Sequence, residues 1–445
     1  MKGNCRPLSL IIGVYVAGAA ITLLSPLTGD PALYGALTKS IVENLSLVPR
    51  FSDVFYLNKP PLLFWLNALI VSLLKPHSYG EITIVYKLLS ILFGALSIVL
   101  TYQIGKELLN KKIALWSALI LALTHEFIHW SKTFRFESLY TFFILMSFFS
   151  YLKFLKEGKI NWVTLTTLSI FFTFLAKGSF VVFSFLAILS LSFKEKKIKL
   201  GGLVSLLSSI VLIIFFIFLY EKVAPGFTKT LFINQTAERL TGSFGHQPWF
   251  YYAKKLLKSY QPWLLPSIIG LFILVKRKIY ALPIFIVVSF FLLNLSSQKL
   301  TRYLFFLYPF LSISAGTTVV EILEKLKINP DKFLKNMAII TLILLSTASI
   351  LKEFGSKKHK ARIEEIQKIC ELAKSELCIY YPWNSPINRE VDLFYLYCNN
   401  KIKFLTKENF KNCKWIVSLK DTTPKEELNP YFIGKNFILY KGEKQ

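Results

Sequence analysis

Ionisable side chains gather at the ends of apolar runs. Asp30 lies in "GDPALY", Lys59 in "NKPPLLFW", Arg135 and Glu137 in "KTFRFESLY", Lys177 in "FLAKGSF", and Lys299 and Arg302 in "QKLTRYLFF". Lysine and arginine suit a phosphate, whose charge they neutralise and whose oxygens they hydrogen-bond. A carboxylate suits removal of a proton from an attacking hydroxyl. Each residue also has a plainer role. Asp30 before Pro31 reads as a helix cap. Lys59 reads as a lysine snorkelling at an interface, Arg135 with Glu137 as an interfacial ion pair, and Lys177 as a turn residue.

The elements that must position these groups are membrane helices. Of 445 residues, 53% are hydrophobic, 16% aromatic and only 18% charged, with 40 phenylalanines. That is more apolar surface than one or two soluble cores could bury. Apolar runs recur at 8–27, 84–104, 113–124, 138–155, 162–176, 179–193, 202–220, 262–275, 279–297, 303–320 and 336–352. The expectation is a mainly α, polytopic transmembrane bundle of about eleven helices over residues 1–353. After residue 353 the pattern turns polar, with short β-like runs such as "CIYY" and "WIVSL". Residues 354–445 read as a small soluble α/β domain.

Lys and Arg number 53 against 26 Asp and Glu, a formal net charge of +27. The charges punctuate the apolar runs and form no basic domain, which argues against nucleic acid. They fit cytoplasmic loops and anionic membrane lipids. The lysine-rich loops 106–112, 153–159, 194–199, 276–278 and 324–335 all fall on one side if the N-terminus is cytoplasmic and 62–74 does not span. A run that short reads as interfacial or re-entrant. The outer side then holds a long first loop, 28–83, a second, 221–261, and the C-terminal domain. Leu33, Leu37 and Ile41 predict an amphipathic helix lying on the membrane. The outer mouths of several helices carry the ionisable residues. That arrangement suits glycosyl transfer from a lipid phosphate.

Other chemistries lack their motifs. There is no Walker A loop, dinucleotide fingerprint, His-Glu-x-x-His or Cys-x-x-Cys. His125 and His129, four apart, read as interfacial residues. "GHQPWFYY" places His246 before an aromatic cluster suited to sugar or lipid stacking, or to an aromatic belt.

Taken in order, these motifs resemble the GT-C glycosyltransferases. They are Asp30 and Tyr34 in "GDPALY", "NKPPLLFW", Arg135-x-Glu137, "AKGS", "GHQPWFYY" and "KLTRYLFFLYP". The nearest in pattern are bacterial undecaprenyl-phosphate-aminoarabinose lipid A transferases and dolichyl-phosphate-mannose protein mannosyltransferases. The resemblance covers roughly residues 1–320. It implies a polyprenyl-phosphate sugar donor and a glycolipid or protein acceptor. By the same resemblance Asp30 and Glu137 are the catalytic acids, and Lys59, Arg302, Lys177 and Lys299 bind the donor phosphate. Tyr34, Arg135, His246 and Tyr303 contact substrate. The resemblance fixes no cofactor and leaves room for a divalent metal. Two departures stand out. Pro31 replaces a frequent Glu after Asp30. Asn58 replaces the Glu before Lys-Pro-Pro, which helps hold zinc in the aminoarabinose enzymes; its loss argues against both zinc and aminoarabinose here.

A transporter or lipid flippase is the first alternative, but no internal repeat is visible. A non-enzymatic membrane scaffold is the second. Four of the five cysteines, Cys370, Cys378, Cys398 and Cys413, lie in the tail. Outside the cytoplasm at least one disulfide is expected, from three pairings.

Overall fold

A computed structural model describes residues 6–21, 23–51, 54–193, 198–237, 241, 246–353, 357–373, 376–380, 391–398, 402–405, 413–420 and 428–442. Most of the basic loop 194–199, Gly245 of the histidine motif and Tyr381 of "CIYY" lie outside them. The chain divides into two compact units. One comprises residues 1–21, 57–63 and 88–350; the other comprises 22–56, 64–87 and 351–445. The expected boundary near residue 353 follows the chain alone. In space, most of the long loop 28–83 shares a unit with the tail.

Each of the eleven apolar runs coincides with a helix. They are α1 (Arg6–Ala20), α4 (Tyr79–Leu108), α5 (Lys111–Leu123), α7 (Glu137–Glu157), α8 (Ile160–Lys177), α9 (Val181–Ser192), α10 (Leu200–Val223), α12 (Leu264–Lys276), α13 (Ala281–Leu295), α14 (Leu307–Lys325) and α15 (Pro330–Glu353). The first run was drawn too long, since α1 stops at Ala20. Additional helices are α2 (Asp30–Asn44), α3 (Leu62–Leu74), α6 (His125–Ser131) and α11 (Tyr251–Ser259). Among the described residues, four helical stretches are long and apolar enough to cross a membrane alone, and the bent pair α5–α6 adds a fifth. The chain is a multi-pass membrane protein. Helix α3, at 13 residues, is roughly 20 Å long, against about 30 Å of hydrocarbon.

One of those stretches, Ile160–Ser192, is a hairpin. Thr173 Oγ1 and Ser184 Oγ are 2.9 Å apart. In a continuous helix, residues eleven apart are separated by roughly 16 Å. The chain therefore doubles back at Gly178, between α8 and α9. Within this first unit α7 packs on α8 and α9, and α14 packs on α5 and α12. Small residues let the helices approach. A Cβ on Gly270 of α12 would lie 1.9 Å from the Ser314 carbonyl oxygen of α14. Hydroxyl pairs such as Ser150–Thr166, at 2.8 Å, join neighbouring helices.

The second unit is built on α2 and the tail. The tail holds α16 (Lys357–Ala373), α17 (Val391–Tyr397) and five strands: β3 (Leu377–Tyr380), β4 (Ile402–Leu405), β5 (Trp415–Leu419), β6 (Pro430–Ile433) and β7 (Phe437–Lys441). The long loop 28–83 adds a two-residue hairpin, β1 (Arg50–Phe51) and β2 (Val54–Phe55). The tail sheet has order β4-β3-β5-β7-β6, parallel at β4-β3-β5 and antiparallel at β5-β7-β6. One disulfide, Cys378–Cys413, ties β3 to the approach to β5, and another, Cys370–Cys398, ties α16 to the residue after α17. Helix α17 packs on α2, with Leu396 seated on Gly35. The Tyr397 hydroxyl accepts a bond from the Leu27 N–H and meets Thr83 Oγ1, each at 3.2 Å. Much of the apolar face of α2, including Leu37 and Ile41, is thus buried by protein. That corrects the expectation of a helix lying open on the membrane.

Candidate active site

Lys59 precedes Pro60 and Pro61, which end any helix before them and open α3 behind them. Lys177 ends α8 at the Gly178 fold-back. Tyr303 follows Arg302 in the 3-10 turn Thr301–Leu304 that leads into α14. Three stretches far apart in sequence thus bring Lys59, Lys177 and Tyr303 onto one cavity of about 380 Å³. Its lining is largely apolar, with Phe180, Val182, Phe183, Leu292, Leu293 and Leu295. Asn58, Gln235, Thr236 and Ser296 add polar groups. Leu295 is also exposed, and with Phe291 and Val287 it forms an outward stripe at four-residue spacing on α13.

The Lys177 ammonium is caged by aromatic rings. It lies 4.0 Å from the Phe180 ring centre, 4.2 Å from Tyr303 and 4.7 Å from Tyr140. Ring faces are electron-rich and hold a cation without neutralising it. Tyr140 links this cage to a second group, because its hydroxyl donates to the Arg302 carbonyl oxygen at 3.3 Å.

That second group is Glu137 between two arginines. Arg302 Nε is 3.4 Å from one carboxylate oxygen and Arg135 Nε is 3.5 Å from the other. These are ion pairs, longer than ideal hydrogen bonds. The Arg135 guanidinium also faces the Trp130 ring at 5.5 Å. Glu137 is 3% exposed, so its charge must be balanced locally.

The remaining expected residues lie elsewhere. The Lys299 ammonium donates to the Ser296 carbonyl at 2.7 Å and the Gln247 carbonyl at 3.2 Å. It ties the loop before α11 to the turn before α14 and does not line the cavity. Burial among neutral carbonyls lowers its pKa. His246 is exposed beside Gln247. Asp30 and Tyr34 belong to the second unit. Asp30 is not the cap of α2. Gly29 is the N-cap, at φ 67°, a region glycine enters at little cost. Its carbonyl takes the first helical bonds, from Ala32 and Leu33 at 2.9 and 3.1 Å. Asp30 stands in the first turn of α2. Tyr34 is buried edge-on to Phe64, with centroids 5.9 Å apart.

Residues around this site that sequence reasoning passed over include Tyr140 and Gln235. Tyr140 sits three residues after Glu137, a spacing that puts both on one helix face. Gln235 had no such signal. Among the described residues no three His, Cys, Asp or Glu side chains come together as a metal site. Asn58, in the place of the zinc-holding Glu, accepts a bond from Gln235 at 3.3 Å. These residues do not fit zinc.

The dolichyl-phosphate-mannose-protein mannosyltransferase family matches residues 58–220. The structure resembles ArnT from Cupriavidus metallidurans bound to undecaprenyl phosphate, with TM-score 0.75 and 13% identity over 98% of both chains. It also resembles the oligosaccharyltransferase AglB from Archaeoglobus fulgidus in complex with an inhibitory peptide and a dolichol-phosphate. That match has TM-score 0.52 and 14% identity, covering 88% of this chain and 59% of that one. An uncharacterised protein of Aquifex aeolicus strain VF5 is 25% identical over 320 residues, 68% of this chain. The chain spans 60% of that protein's length. The chain therefore has the fold of the GT-C glycosyltransferases and, over residues 58–220, resembles the dolichyl-phosphate-mannose-protein mannosyltransferases.

Proposed function

We propose that this protein moves a sugar from a polyprenyl-phosphate donor to a hydroxyl of a glycolipid, such as lipid A, or of a protein. The reaction takes place at the outer face of the inner membrane, with the N-terminus cytoplasmic and the C-terminal unit outside. The observation that carries the reading is the pairing of two ammonium groups, Lys59 and Lys177, with an apolar lining in one cavity. A polyprenyl phosphate has that same division between a charged head and an apolar chain. The outward stripe of Val287, Phe291 and Leu295 offers the chain a path from the bilayer.

The step is an inverting displacement. Asp30 takes the proton of the acceptor hydroxyl, whose oxygen forms a bond to the anomeric carbon. The bond from that carbon to the phosphate oxygen breaks, and polyprenyl phosphate leaves with the electron pair. Lys59 and Lys177 stabilise the growing negative charge in a site of low dielectric constant. Glu137, ion-paired with two guanidiniums, serves by holding Arg302 and Arg135. Lys299, tied to two carbonyls, positions the turn that carries Arg302 and Tyr303.

The test is transfer from a polyprenyl-phosphate sugar by the purified protein in detergent. Lys59→Ala is expected to abolish transfer, and Lys59→Arg to retain part of it, since charge is kept but shape is not. Full turnover by a folded Lys59→Ala enzyme would sink the proposal. Mass spectrometry of lipid A and surface glycoproteins from a deletion strain would identify the acceptor.

A further inference from the structure

The second outer loop delivers a side chain to the cavity from an unusual element. Thr230–Ala237 is a π-helix, a form rare in proteins and frequent at functional sites. It is anchored at its start, where Leu231 is buried against the fold-back between α8 and α9. A Cβ added to Gly178 would lie 2.9 Å from Leu231 Cδ1. Gln235 follows four residues later, close to one helical turn, and so returns to the same face. In the cavity lining its Oε1 accepts a bond from Lys59 Nζ at 2.7 Å. Its Nε2 donates to Asn58 Oδ1 at 3.3 Å. The first bond fixes which way the amide faces, because an ammonium only donates.

We propose that Gln235 is a positioning residue for Lys59, through which the second outer loop sets how well the cavity takes an anionic lipid headgroup. A neutral acceptor fixes the ammonium in place and leaves its charge intact for a phosphate. A carboxylate at this point would pair with the lysine and cancel that charge. Neighbouring Asn58 is neutral as well, and its bond to Gln235 steadies the amide that receives the Lys59 ammonium. The inference rests on the reading of Lys59 as a phosphate-binding cation.

The experiment measures undecaprenyl phosphate binding to the full-length protein in lipid nanodiscs. The variants are Lys59→Ala, Gln235→Ala, Gln235→Glu and the double change Lys59→Ala with Gln235→Ala, each checked by thermal melt. Gln235→Ala is expected to weaken binding by about tenfold, the worth of one hydrogen bond to a charged group. Gln235→Glu should weaken it further, although the carboxylate reaches equally far. The double variant should bind no worse than Lys59→Ala alone, since both changes remove one coupled interaction. A role in loop stability alone would lower the melting temperature and add to the Lys59→Ala loss. Additive losses, or unchanged binding by Gln235→Ala or Gln235→Glu, would overturn the role of Gln235 and leave that of Lys59 standing. Unchanged binding by Lys59→Ala would overturn both.

Discussion

Replacing Glu137 by Gln tests whether that carboxylate is an anchor or a base. The change keeps shape and removes one charge from a cluster of three. Side-chain exposures are 4% for Glu137, 8% for Arg135 and 25% for Arg302. Each guanidinium would then lose this ion pair in a largely buried site. Breaking a buried pair costs about 3–5 kcal/mol. Arg302 keeps a quarter of its surface, so the lower end, about 3 kcal/mol, is the better figure. In a chain of this size that is a fall in melting temperature of roughly 3 °C. The assay is tryptophan fluorescence against temperature in detergent, run beside transfer activity. The double variant Glu137→Gln with Arg302→Gln should recover part of the loss, because it also removes one of the two cations. A Glu137→Gln protein that melts like the wild type would refute the anchoring argument. If it also lost all activity, the carboxylate would be taking part in the chemistry itself.

Asp30→Asn should leave the helical content of α2 intact, read by circular dichroism, because Gly29 and not Asp30 caps α2. It should cost transfer on the order of 10²-fold if Asp30 carries the proton; full turnover would remove Asp30 from the mechanism. Lys177→Met should fold, since an apolar chain fits the cage of Tyr140, Phe180 and Tyr303, but should bind polyprenyl phosphate at least about tenfold more weakly. Equal binding would show that the caged ammonium does not face the donor. Non-reducing peptide mapping should recover Cys370 with Cys398 and Cys378 with Cys413, and alkylation of all four in the oxidised protein would contradict the fold of the tail.

The apolar runs were legible because hydrophobic length is a local property, and so was the short run at 62–74, whose limits match α3 to the residue. Lys59, Lys177 and Tyr303 could be named from their motifs, yet nothing local says that they share a cavity. That requires the fold-back at Gly178 and the packing of α14. The Asp30 cap was misassigned by one residue, because an acid before proline is a strong local signal and the positive φ of Gly29 is not written in its neighbours. Gln235 was invisible for a different reason. Its role depends on a π-helix, and the polar stretch "INQTAER" reads as ordinary loop. The covering of α2 by α17 was hidden by about 350 residues of intervening chain.

That last separation bears on how the protein is made. The unit holding Asp30 is assembled from residues 22–56, 64–87 and 351–445. Synthesis proceeds from the N-terminus, so α2 emerges early, while α17 arrives only after every intervening helix has been inserted. Until then the Gly35 face of α2 lacks the partner that closes it. That unit is complete only when the tail has joined the first loop. A chain that ends after α15 lacks α17, and with it the Leu396 side chain that covers Gly35 on α2.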